Sequence, residues 1–271
     1  MPFDTHCHLD AKEFDHDRDQ TIASACSAGV TRIVVPAVET QNFDTVRLLA
    51  NRMPTGAYAL GIHPLFVERS RLEDIDVLRQ HLEQYHHDPK LVAVGEIGLD
   101  LFEPHLKQAP LLDKQIEFFK AQLVLAKTFE LPVILHVRRA QDLVLKYLRQ
   151  VGVSGGIAHA FNGSFQQAQQ FINLGFALGM GGALTYTRAL QIRRLATTID
   201  LKHLVLETDS PDIPPEWVEL DSKTGKRRNS PDQVIKIAQV LAKLRQCDVL
   251  DVVSTTNQTA IKVLPRLKNL N

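Results

Sequence analysis

Short runs of apolar, often β-branched residues recur along the chain, spaced to leave room for one helix between neighbours. They predict strands near residues 2–6 (PFDTH), 30–37 (VTRIVVPA), 57–62 (AYALGI) and 91–96 (LVAVGE), then near 132–136 (PVILH), 155–159 (GGIAH), 175–180 (GFALGM) and 203–208 (HLVLET). Most are continuous rather than alternating, the pattern of strands buried on both faces of a parallel sheet. Between them the period changes. In 111–129, Leu112, Ile116, Phe119, Leu123 and Ala126 step by fours and threes, which lays one apolar stripe along a helix. Ser230-Pro231-Asp232-Gln233 predicts an N-cap, a first-turn proline and a capping-box partner opening a helix that runs to Leu244.

Eight strand–helix units in strict alternation predict an α/β fold, a TIM (β/α)8 barrel formed as a single domain over residues 1–271. A doubly wound open sheet is the alternative. The longest irregular stretch, 209–230, follows the eighth strand, where long loops usually serve function.

Composition narrows the class. At 44% hydrophobic and 23% charged residues, the chain can build a large core without disulfides. Cys7, Cys26 and Cys247 are dispersed, which suits reduced thiols. No apolar run is long enough for a membrane span, and MPFDTHCHLD lacks the features of a signal peptide. The expected location is therefore the cytoplasm, with no membrane and no obligate protein partner in view. Lys+Arg and Asp+Glu both number 31, so no bulk positive charge draws the chain onto nucleic acid. An enzyme that grips a few phosphates locally stays open.

The polar residues at strand ends carry the chemistry. His6 and His8 end the first predicted strand, where period-2 alternation sets both imidazoles on one face and Cys7 on the other, toward the helices. Cys7 therefore reads as a packed core residue rather than a ligand. Glu96 closes the fourth strand, His136 the fifth and His159 the sixth, and Asp209 follows the eighth. In a barrel these ends converge on the C-terminal face, where active sites of this fold lie. Four imidazoles and two carboxylates suit Zn²⁺, Mn²⁺ or Mg²⁺. The other histidines, His16, His81, His86, His87, His105 and His203, share no rim and read as surface or structural.

DTHCHLD, GIHP, GEIGLD, LPVILHVR, AHAFNGS and LETDSP follow one another between residues 4 and 212. In order and spacing this set resembles the TatD family of metal-dependent hydrolases, and the likeness continues more weakly to Asn257. The resemblance implies two divalent ions per subunit. His6, His8 and Asp209 would bind the first, Glu96 would bridge, and His136 and His159 would bind the second. It also implies a phosphodiesterase acting on DNA, a deoxyribonuclease or 3'-5' exonuclease, with Asp209 orienting or deprotonating the attacking water. Arg138 would clamp phosphate of this transient DNA or phosphoester substrate; by position, His63 at the end of the third strand and Arg228 in the Lys223–Arg228 loop over the site are further candidates to contact it. Glu207 would point inward beside Asp209. Two departures affect the rim. The family often has an acidic residue where Arg228-Asn229-Ser230-Pro231 has Ser230, and often a tyrosine where this chain has Leu101-Phe102. A metal-dependent ester or amide hydrolase acting on another substrate, such as D-aminoacyl-tRNA or a small phosphoester, is the competing expectation.

Overall fold

The computed structural model describes residues 1–221 and 225–270. Eight strands pair in parallel in sequence order. They are β1 Phe3–Asp4, β2 Arg32–Pro36, β3 Gly56–Leu60, β4 Leu91–Asp100, β5 Val133–Arg138, β6 Gly156–Ala158, β7 Phe176–Met180 and β8 Leu204–Leu206. The helices are α1 Arg18–Ala28, α2 Phe43–Arg52, α3 Glu73–Tyr85, α4 Leu111–Thr128, α5 Gln141–Val151, α6 Phe165–Asn173, α7 Leu190–Thr198, α8 Val234–Arg245 and α9 Val249–Val263. This is the predicted barrel, not an open sheet.

The seam between β1 and β8 is stitched by the segments just beyond those strands. The Thr5 amide donates to the Leu206 carbonyl (3.1 Å), the Asp209 amide to that of His6 (2.8 Å) and the His8 amide to that of Ser210 (2.7 Å). Cys7 and Ser210 form a single parallel bridge. Asp4, fully buried, binds the Thr208 amide (2.9 Å) and hydroxyl (2.5 Å) from across the seam.

β4 runs four residues beyond its expected end, because the polar Glu96 points into the barrel rather than terminating the strand. The register of β4 on β5 shifts between Val94 and Ile97. Gly98, at φ 151°, then lets the two backbones close, since a Cβ there would sit 1.9 Å from the His136 carbonyl oxygen.

The capping box at Ser230 does not form. The Ser230 hydroxyl turns to Asp232, while Gln233 accepts a bond from the Trp217 indole N–H (2.8 Å). Pro231–Gln233 make a short 3₁₀ turn, and α8 starts at Val234.

Two apolar layers hold the fold. Leucine, valine and phenylalanine side chains fill the space between barrel and helices, and Cys7 belongs to this outer layer, as alternation predicted. Inside the barrel, Phe3, Val34, Ala57, Val92, Ile134, Ile157 and Val205 meet Ala260, Leu264, Leu267 and Leu270. The last four come from the end of α9 and the turn after it, an element the hydrophobic pattern did not reveal. They plug the N-terminal mouth. There Arg266 donates to the Leu91 carbonyl (2.9 Å) and Arg32 to that of Leu270 (2.5 Å). Among the described residues, no helix is long and apolar enough to cross a membrane.

Candidate metal centre

At the C-terminal mouth the strand-end residues named from sequence come together. Glu96 is buried at their centre, and its two oxygens face different partners. Oε2 lies 3.1 Å from His6 Nε2 and 3.4 Å from His8 Nε2. Oε1 lies 3.1 Å from His136 Nδ1, 3.0 Å from His159 Nε2 and 3.2 Å from His63 Nε2. Asp209 Oδ1 reaches 3.5 Å to His6 Nε2 and 3.6 Å to His8 Nε2, while those two nitrogens are 3.2 Å apart.

These separations fit a cation. Four donors about 2.0–2.1 Å from a tetrahedral Zn²⁺ lie about 3.3 Å from one another. Three groups among the described residues have the required spacing: His6–His8–Asp209, His6–Glu96–His159 and His63–Glu96–His136. The imidazole and carboxylate donors suit a borderline or hard divalent ion. None of the six remaining histidines joins such a group.

The outward nitrogens decide which imidazoles offer a lone pair. His136 Nε2 lies 3.0 Å from Asp100 Oδ2, so a proton there leaves Nδ1 free to face Glu96. His63 is the reverse. Its Nδ1 accepts the Leu65 amide (3.1 Å), so the neutral ring carries its proton on Nε2, toward the site. His63 is thereby set up as a hydrogen-bond donor rather than a ligand, despite its spacing. His6 Nδ1 and His159 Nδ1 are buried without a hydrogen-bond partner. The nearest carboxylate to the latter is Glu207, 3.8 Å away, which accepts the Ala160 amide (2.5 Å).

Electrostatics follow from packing eight ionisable groups out of water. Burial opposes the charge of Glu96, but His63, His159 and His6 and the His136 hydrogen bond hold it well below the usual carboxylate range. Burial alone would lower His8 and His159; Glu96 and Asp209 outweigh it and lift them to about 9 and about 10. His6 stays well below its usual value through burial and the neighbouring His159. Burial also takes His63 down to about 4 and Glu207 up to about 7. The carboxylates are thus balanced by protons on selected imidazoles, and a divalent ion would take over that role by displacing them.

Asp100 and Asp4 were not picked out from sequence. Alternation held the signal: Asp4 has the parity of His6 and His8, and Asp100 that of Glu96. The apolar run that marks β4 stops at Glu96, four residues short of Asp100.

The rim differs from expectation at Arg228. Its guanidinium forks onto Asp17 (2.7 and 2.5 Å) and the Glu13 carbonyl (2.8 Å), so it ties the loop after β8 to the start of α1. Arg138 is half exposed, 3.5 Å from Glu103 and 3.9 Å from Asp100, and lies 3.7 Å over the Phe102 ring. Arg227 reaches the Tyr186 hydroxyl (3.2 Å). Lys223 lies outside the described residues.

A (β/α)8 barrel with a buried carboxylate ringed by imidazoles at the C-terminal ends of its strands defines the class of metal-dependent hydrolases. Within that class the chain belongs to the TatD-related DNase family, whose model matches residues 3–265. It is 40% identical over 244 residues to the uncharacterized metal-dependent hydrolase YjjV of Escherichia coli, covering 90% of each chain. The crystal structure of YjjV superposes with a TM-score of 0.88 over 97% of both chains, at 37% identity. Identity to human deoxyribonuclease TATDN3 is 30% over 274 residues, covering 98% of this chain and 96% of that one. Identity to the 3'-5' ssDNA/RNA exonuclease TatD of Erwinia billingiae is also 30%, over 247 residues covering 90% and 91%.

Proposed function

We propose that the centre holds two divalent cations, Zn²⁺, Mn²⁺ or Mg²⁺, and hydrolyses phosphodiester bonds of DNA, single strands foremost. One observation carries this reading: the two oxygens of Glu96 divide the donors into a His6–His8–Asp209 set and a His136–His159 set. A carboxylate offers about four lone-pair sites. Five imidazole nitrogens around one carboxylate exceed what hydrogen bonding alone would gather there.

Bound cations supply water of lowered pKa and offset charge on the phosphoryl oxygens. The protein's own groups do the rest. Asp209, at the opening beside His8, orients the attacking water and accepts its proton. Asp100 fixes the tautomer of His136. His63 donates from Nε2 toward a phosphoryl oxygen, and Arg138 offers a planar fork to the phosphate. The neutral formal charge favours a short grip on a flexible strand over a long duplex footprint. The names of the two nuclease relatives agree with this substrate.

The test is a panel of single-stranded DNA, RNA, a chromogenic phosphodiester and D-aminoacyl-tRNA, given to protein stripped by chelator and then reloaded with each metal. Two metal equivalents per chain and restored cleavage of DNA are expected. Full activity in stripped protein sinks the metal-based mechanism. Cleavage of the aminoacyl ester but not of nucleic acid replaces the substrate assignment.

A further inference from the structure

The loops after β4 and β5 build a cationic feature on the rim beside the metal centre. Phe102 is 39% exposed, yet two guanidinium groups lie over its ring, those of Arg138 at 3.7 Å and Arg139 at 4.8 Å. The arginines are differently employed. Both carboxylates within ion-pair reach, Asp100 and Glu103, face Arg138. Among the described residues Arg139 meets no carboxylate and makes no hydrogen bond through its side chain, and its guanidinium lies over the Phe102 ring. Its backbone sits at φ 56°, a conformation that costs a non-glycine residue energy and recurs at ligand clamps.

A guanidinium stacked on an aromatic ring keeps its N–H donors in the plane, directed outward, where a phosphate can take two of them. Arg139 lies three positions past His136, so their Cα atoms are at most about 11 Å apart. Outside the metal-binding set and within that distance of it, Arg139 is placed to address a phosphate next to the one being cut. Arg138, restrained by Asp100, which in turn orients His136, is the inner member of the pair.

We propose that Arg139, steadied by Phe102, binds a non-scissile phosphate of a single-stranded polynucleotide and so sets the preference for a chain over a small diester. This rests on the phosphodiesterase reading above. Asn tolerates the left-handed backbone better than other neutral side chains, so Arg139→Asn removes the charge with least strain, and Arg139→Lys retains it without the fork.

Two quantities are measured: kcat/KM on a single-stranded oligodeoxynucleotide and on bis(p-nitrophenyl) phosphate, and the salt dependence of oligonucleotide binding by fluorescence anisotropy. Arg139→Asn should lose about tenfold more on the oligonucleotide than on the small diester, the effect of one charge-assisted contact. Its slope of log affinity against log salt should be shallower by about 0.7, one phosphate's worth on a single strand, whereas Arg139→Lys should keep the wild-type slope. Equal losses on both substrates with unchanged slopes in both variants mean Arg139 only packs on the rim, and the proposal falls alone. If wild type cleaves the small diester but no oligonucleotide, the nucleic-acid reading fails and takes this proposal with it.

Discussion

The two mouths of the barrel are built from opposite materials. At the N-terminal mouth Ala260, Leu264, Leu267 and Leu270 close over the ends of the strands, all buried, and Arg32, Arg266 and Asn257 bond to backbone groups there. At the C-terminal mouth Glu96, His6, His63, His159 and Asp209 are buried together, with His6 Nδ1, His159 Nδ1 and one Glu207 oxygen left without partners. The first arrangement gains from every apolar contact. The second bears desolvation that hydrogen bonds do not fully offset. The chain thus concentrates stability at one end and reactivity at the other, a division that the parallel barrel allows because its strand ends are separate surfaces.

The sharpest way to break that division is Glu96→Gln. Removing the charge that faces both donor sets should abolish binding of at least one metal equivalent and lower turnover by about 10³-fold or more, read by elemental analysis and initial rates. Thermal stability of the metal-free protein should fall far less than activity does. A variant that keeps both metals would mean that Glu96 is not shared between the two sets.

At the opposite mouth Leu267→Ala should cost about 2–5 kcal/mol of stability by opening a cavity under the plug. Metal content and kcat should stay at wild-type values. Loss of metal in this variant would show that the two mouths are coupled through the strands. Denaturant unfolding alongside metal analysis separates the outcomes.

Cys7→Ala gives the smallest change and sharpens the boundary between the regions. Cys7 lies between His6 and His8 in sequence but packs among the helices, and burial pushes its thiol well above the usual range. The variant should lose about 1 kcal/mol and no metal. Loss of a metal equivalent would move Cys7 into the centre.

How far these regions could be read from sequence follows from the same contrast. Most strands were visible as apolar runs, because strands buried on both faces have little room for polar residues; β1, Phe3–Asp4, was marked instead by the histidines that follow it. His6, His8, Glu96, His136, His159 and Asp209 were visible because they interrupt those runs at one end only. Asp100 was hidden because a bulge and Gly98 carry β4 past its polar residue, and the hydrophobic pattern does not encode a register shift. The terminal plug was hidden for a different reason. Leu264, Leu267 and Leu270 step by three in a short 3₁₀ segment, which is too brief to show a period. The side-chain partners of Arg228 and Ser230 depend on loops that meet only in three dimensions, so residue type suggested their chemistry and not their contacts.

The seam has a consequence for the order in which the molecule comes into being. His6 and His8 leave the ribosome about two hundred residues before Asp209, and these three form one donor group. Until then the two histidines are held by neither the carboxylate nor the backbone bonds to Asp209 and Ser210 that fix their segment. A chain stopped short of the eighth strand carries the first half of the centre without its closure. The donor set thus becomes complete only when the barrel does.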